Sequence, residues 1–274
     1  VVGRQEVTLH EQRLVGPVGW TQQGRSFDGA FASVSRGNLS ADVGGAVLTS
    51  VNADPTGYDS FFGMIRAGVS GEGSTLDLVY LPLSDASRDR LTHTAGVYTK
   101  GSSGPLQGRA EVYLQAGTRD GQSEMAWLAG LSGTLAPEVS GDPKVTLWYD
   151  YLSGDGDPGD GRATAFDTLF ATNHKFYGLI DVMAFSVGGV GDGQGLQDAA
   201  LKLSVAPDAA IRTHLDAHLF LPSVGENAML GQEVDLWGRW KVTEGLGLSG
   251  GGAALLRSDA QADLWSFLQL DANL

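Results

Sequence analysis

The feature that most constrains this chain is alternation. Over much of its 274 residues, apolar and polar side chains take turns at period two, in segments of about ten residues separated by Gly, Asp, Pro and Ser. Successive side chains of a strand point to opposite faces, so each such segment is apolar on one side and polar on the other. In 210–222, Ile211, Thr213, Leu215, Ala217, Leu219 and Leu221 oppose Arg212, His214, Asp216, His218 and Phe220. In 232–242, Val234, Leu236, Gly238, Trp240 and Val242 oppose Asp235, Trp237, Arg239 and Lys241. The same holds in 106–116, where Leu106, Ala110, Val112, Leu114 and Ala116 oppose Gln107, Arg109, Glu111, Tyr113 and Gln115. Segments 198–206 and 264–274 repeat it.

A soluble sandwich or solenoid alternates too, but its apolar face fills a shared core. Here the alternating segments run to about nine to thirteen residues, where globular strands usually have about five or six. Their apolar faces are Leu, Val, Ala and Gly almost throughout, which suits acyl chains. Trp127, Tyr149, Tyr151, Trp240 and Trp265 lie near segment ends, where interfacial girdles belong. No stretch reaches the roughly 18 apolar residues of a membrane helix, so a place in the bilayer requires a closed barrel. Fifteen segments are read, near 2–9, 26–35, 39–51, 59–70, 73–83, 91–101, 105–117, 123–136, 142–153, 176–189, 195–206, 209–221, 231–242, 246–257 and 262–274. Bacterial barrels have even strand numbers, so either a strand precedes Val1 or one segment is misread. The fold expected is all-β, a transmembrane antiparallel up-and-down β-barrel of about 14–18 strands, with 1–274 as a single domain. Short joins such as Gly71–Gly73 and Ala206–Asp208 read as periplasmic turns; 10–25 and 154–175 read as extracellular loops.

Composition narrows the function. The absence of cysteine removes disulfides, thiolate nucleophiles and thiolate metal sites together. A net charge of −14 repels phosphate and argues against nucleic acid as a partner. With neither an initiator Met nor a signal peptide, Val1 reads as the start of a mature chain or a fragment.

Three groups of residues, in order along the chain, resemble the alginate export family of outer-membrane barrels. The first is Gly3-Arg4-Gln5, Arg13-Leu14-Val15-Gly16, Gly19-Trp20 and Phe27-Asp28. The second, and most specific, is Asp150-Tyr151, Gly154-Asp155, Asp157-Pro158, Phe166-Asp167, Leu169-Phe170 and Asn173-His174-Lys175-Phe176-Tyr177-Gly178, with Asp181 after it. The third is Gly231-Gln232-Glu233-Val234-Asp235. Members carry further strands before the Gly-Arg-Gln segment, and outer-membrane barrels often end in an aromatic residue. The start at Val1 and the end at Leu274 therefore suggest a short or trimmed member. The resemblance implies a channel of a Gram-negative outer membrane, in contact with lipid and lipopolysaccharide. It implies no enzymatic activity, and passage of an anionic polysaccharide such as alginate or of a smaller polar solute. It also implies a pore lined by basic side chains.

The inward faces are mixed. Arg4, Arg66, Lys100, Arg109, Lys202, Arg212, Arg239 and Lys241 are expected in the lumen, together with Glu6, Asp42, Glu111, Asp150, Asp216, Asp235 and Asp271. The cations form an anion path on one reading, since charged rings concentrate counter-ions in a channel. On the other they neutralise neighbouring carboxylates, Asp235 with Arg212 or Arg239 for example. His174 and Lys175 are selectivity candidates at the pore mouth, with Arg13, Asp155 and Asp157; Arg13 and Trp20 also read as structural, with Trp20 against Phe27. No cofactor is expected. Asp155, Asp157 and Asp160 place three carboxylates in six residues and are the one calcium candidate, without the later Glu of a calcium loop. His214 and His218, about 13 Å apart on one strand face, are too distant for one metal ion. With Asp216 between them and Ser204 on a neighbouring segment, they carry the alternative of a barrel hydrolase. A structural barrel with a plugged lumen is the other alternative. Gly188–Gly195 holds a Gly-x-Gly pattern with no helix after it and reads as a turn.

Overall fold

The computed structural model describes residues 1–20, 23–49, 60–184, 190–226, 229–259 and 261–272. The strands are β1 (Val2–Gln5), β2 (Phe27–Arg36), β3 (Leu39–Thr49), β4 (Ser60–Gly71), β5 (Ser74–Asp85), β6 (Arg90–Ser103), β7 (Leu106–Arg119) and β8 (Gln122–Leu135). They continue with β9 (Lys144–Leu152), β10 (Arg162–Ala163), β11 (Leu196–Val205), β12 (Ile211–Leu221), β13 (Gly231–Thr243), β14 (Leu246–Arg257) and β15 (Ala262–Ala272). Leaving β10 aside, each strand pairs antiparallel with the next in chain order, the up-and-down arrangement of the barrel wall. β10 is a two-residue strand that runs parallel to β8. Among the described residues β1 and β15 are not paired with each other.

The wall is apolar outside and polar inside, the reverse of a soluble domain. Leu78, Leu114, Leu131, Leu147, Leu236 and Leu264 are 57–82% exposed, while Glu111, Asp150, Asp198, His218, Glu233 and Asp235 are at most 4% exposed. Trp127 stacks on Tyr151 on the outer face at 4.2 Å, and Trp240 is exposed near the opposite end, so aromatics mark two levels of the wall. Trp265 instead points into the lumen, where it meets Trp20.

Among the described residues, the strand expected over 176–189 is not formed. Residues 176–184 form turns after a short 3-10 turn at Asn173–Lys175, and 185–189 lie outside the described residues. Gly178 and Asp181 take left-handed backbone (φ 80° and 66°), which breaks an extended run. Within Gly188–Gly195, the described part, 190–195, is a turn as expected.

The two long loops do not stay outside. Their described residues, 6–20 and 23–26 of the first and 153–184 and 190–195 of the second, fold into the barrel and bind each other there. Gly16 N donates to Phe170 O (2.9 Å), Phe170 N to Leu14 O (2.9 Å) and Thr172 N to Gln12 O (3.0 Å). Arg25 adds hydrogen bonds to the carbonyls of Gly16, Phe170 and Ala171. Leu14, Val15, Phe166, Phe176 and Tyr177 pack against inward Leu81, Leu128, Leu152, Leu196 and Phe220. Towards the long-loop end part of the inward face is thus apolar, because it buries loops and not water. The tip of the first loop reaches deep: the Glu11 carboxylate lies 3.6 Å from Lys100 Nζ and accepts from Tyr98 Oη at 3.2 Å. Lys100 is ten residues from the start of β6. At about 3.3 Å per residue and a tilt of about 40°, the tip lies about 25 Å below that rim.

Candidate functional site

The first loop is keyed to the β4–β9 side of the wall. His10 stacks on Tyr98 (3.9 Å) and its Nε2 lies 3.0 Å from Asp77 Oδ2. Burial lowers the His10 pKa, against the opposing pull of Asp77 and Glu111. Arg13 is the central tie, 1% exposed. It donates to Glu111 Oε1 (3.0 Å), Asp150 Oδ2 (2.6 Å) and Tyr177 Oη (2.8 Å), and lies 3.7 Å over the Phe176 ring. Burial disfavours its cation, but Asp150, Tyr177 and Glu111 outweigh that and raise its pKa. Arg109 shares the same carboxylates and lies 4.0 Å over Trp148. This arrangement joins both loops to β7 and β9, so Arg13 is a positioning residue and not a free charge at the mouth.

Below the docked loops, open space is bounded by β4–β9 and β11–β13, and beside them by β11–β15. A cavity of about 840 Å³ reaches the short turns, where Gly71, Gly73 and Ser102 line it. A second of about 410 Å³ lies above it, and the two share Lys175, Lys202, Asp216 and Trp237. Together they form an off-axis passage between the docked loops and the wall.

Sorted by this geometry, the expected basic residues fall into three groups. Arg66 and Arg109 are in the lumen but neutralised, Arg66 by Asp42 and by Asp77 at 2.6 Å. Lys100 faces Glu11, and Arg212 pairs with Asp142 at the short-turn rim. Arg4 is a correction. Phe27 points inward onto Phe62 and Phe170, so its partner Gln5 does too. That turns Arg4 outward, in an exposed ion pair with Asp28 at 2.7 Å. The third group is Lys175, Lys202, Arg239 and Lys241. Lys175, Lys202 and Arg239 border these two cavities and Lys241 a separate recess at the β13–β14 turn, and among the described residues no carboxylate lies within 4.0 Å of the four. Lys202 Nζ sits 5.1 Å over the Trp148 ring, and Lys175 Nζ donates to Glu11 O at 3.3 Å.

The other candidates are distributed differently from expectation. Asp235 does not pair with Arg212 or Arg239; its carboxylate lies 3.9 Å from His218 Nε2. His218 Nδ1 is held by Asp198 (2.9 Å), not Asp216. His214 stacks face to face on Trp237 (3.8 Å), and Ser204 lies across from His214 and not from His218, accepting a hydrogen bond from Arg212 at 3.4 Å. His174 pairs with Asp181 at 2.6 Å under Trp20, which packs on Trp265 and Phe267 and not on Phe27. Asp155, Asp157 and Asp160 each accept from a nearby backbone N–H, of Asp157, Gly159 and Arg162. Among the described residues no cluster of three side chains suited to a metal ion is formed. The aromatic floor of the passage, Trp148, Trp237 and Phe267, was not anticipated; its only trace in the sequence is an aromatic residue on an otherwise polar inward face.

A transmembrane wall, lumen loops and a polar passage lined by free cations define an outer-membrane channel. The fold is that of the crystal structure of OccK5 (OpdH) from Pseudomonas aeruginosa, at a TM-score of 0.62 and 13% identity, covering 98% of this chain and 77% of that one. The alginate export family matches residues 67–223, more than half of the sequence, and the chain belongs to that family. No curated protein matches it.

Proposed function

We propose that the chain spans a Gram-negative outer membrane many times and conducts an anionic solute, an alginate-like polysaccharide or a smaller carboxylate. The observation that carries this is the passage itself. The other basic lumen residues are neutralised, whereas Lys175, Lys202 and Arg239 remain unpaired along the two adjoining cavities. Unpaired cations between low-dielectric walls raise local anion concentration, which paired ones do not. The mixed wall, with Asp216 and Asp235 facing the same space, lets the anion leave as well as enter. The expected surroundings are lipid and lipopolysaccharide.

Planar-bilayer recording tests it. Reversal potentials in a salt gradient are expected to show anion preference, reduced together with conductance for carboxylate salts in a Lys175→Gln, Lys202→Gln, Arg239→Gln variant. Cation preference, or no conductance from correctly folded protein, refutes the reading.

A further inference from the structure

The tip of the first loop is fixed to the wall by the residues around Glu11, not by Glu11 itself. The side chains of His10 and Arg13 are 7% and 1% exposed, bound to Asp77 and to Glu111 and Asp150. Gln12 O accepts from Thr172 N, which ties the tip to the second loop as well. Glu11, between these anchors, has a side chain 44% exposed that lines the 840 Å³ cavity. One of its oxygens takes both contacts, Lys100 Nζ at 3.6 Å and Tyr98 Oη at 3.2 Å. Its backbone carbonyl accepts from Lys175 Nζ at 3.3 Å. A half-solvated carboxylate is thus presented to the lumen beside two cations, on a loop that other residues hold.

The cations of this cavity are paired in different ways. Arg109 is cancelled by Glu111 and Asp150, wall carboxylates whose places strand register fixes. Lys144 lies 3.7 Å from Asp142 in the β8–β9 turn, and Lys202 is unpaired among the described residues. Lys100 meets a carboxylate on a loop tip, which can turn about its side-chain bonds while the loop stays docked. A pair this exposed is weak, because water screens it and two long side chains lose freedom in making it. The carboxylate of a passing solute has the same chemistry as Glu11 and can replace it.

We infer that Glu11 is a tethered competitor. Its carboxylate occupies Lys100 while the passage is empty and gives that cation up to the carboxylate of a solute, which is therefore held less tightly and released sooner. A conduit needs this weakening, since a site strong enough to take an anion from water otherwise retains it. The inference rests on the anionic-solute reading above and adds the residue that limits how long the solute stays.

Two measurements test it: calorimetric titration of the full chain in detergent with gluconate, and the duration of gluconate blocks in single-channel chloride currents. Glu11→Gln removes the charge and keeps an acceptor for Tyr98 Oη. It is expected to bind gluconate about fivefold more tightly and to lengthen the blocks by that factor, which is what an ion pair of this exposure carries. In a Lys100→Gln background the same substitution should change affinity by less than about twofold, because its target is gone. A loop tip merely loosened by the substitution would instead widen the passage and shorten the blocks. Unchanged or weaker binding in Glu11→Gln, shortened blocks, or a gain that persists in full without Lys100 overturns the proposal. With anion preference intact, those results leave the anionic-solute reading standing. A parent channel that prefers cations removes that reading and the proposal with it. Heat-modifiable gel migration establishes that each variant is folded.

Discussion

Arg13→Ala removes the tie between the lumen loops and the wall. Arg13 makes two charge-assisted hydrogen bonds and one to a neutral phenol, all in a fully buried setting. Breaking a buried ion pair costs about 3–5 kcal/mol, because the partner carboxylates are left uncompensated. Arg109 stays within reach of both Glu111 and Asp150, so the lower end, about 3 kcal/mol, applies here. At about 1.4 kcal/mol per tenfold, docking of the two loops weakens roughly 10²-fold. In single-channel recordings the time spent in a wider, loop-displaced conductance state should rise by that factor, with noisier current. Tyr177→Phe deletes only the neutral hydrogen bond, about 0.5–1.5 kcal/mol, and should raise the same occupancy about 2–12-fold. Arg13→Lys should resemble the alanine variant, since one ammonium cannot serve Glu111, Asp150 and Tyr177 with a fork's geometry. A folded Arg13→Ala channel with parental conductance, noise and substate occupancy refutes the assignment of Arg13 as the anchor.

Two further outcomes follow from the same loops. Burial lowers the His10 pKa in the docked loop, so the docked state binds a proton less readily than the free one; docking is unpenalised well above about 6.5 and weakens as pH falls below it. Opening of the wide state should therefore increase between pH 7.5 and 5 and become flat in His10→Gln, and a parental profile already flat over that range contradicts this. Gly178→Ala forces a side chain into left-handed backbone, with its Cβ 2.5 Å from the Glu233 carboxyl that accepts from Ile180 N at 2.9 Å. The cost of about 1–3 kcal/mol should appear as about tenfold faster protease cleavage within 176–184, and unchanged cleavage counts against that role for Glu233.

The wall was legible in the sequence because its environment is simple. Lipid on one side and a polar lumen on the other imprint period two directly, so Leu114 against Tyr113 or Leu236 against Trp237 can be read without knowing any neighbour. Register at an edge was not legible. Arg4 and Gln5 exchange faces according to where Phe27 packs, a contact made with Phe62 and Phe170 far along the chain. The 176–184 segment looks like a strand by composition, yet it is turned by Gly178 and Asp181 and fixed by Glu233 from β13.

What the sequence alone determined is the class of wall, its family and which residue types face inward, because alternation and short motifs are local properties. Which inward charges remain available was decided only by the tertiary structure. Arg66 is cancelled by carboxylates of β3 and β5, and Arg109 by Glu111 of its own strand together with Asp150 of β9, while the docked loops leave Lys175, Lys202 and Arg239 beside open space. The meeting of Glu11 with Lys100 likewise exists only in the folded barrel, since it is set by how deep the first loop docks and not by distance along the chain.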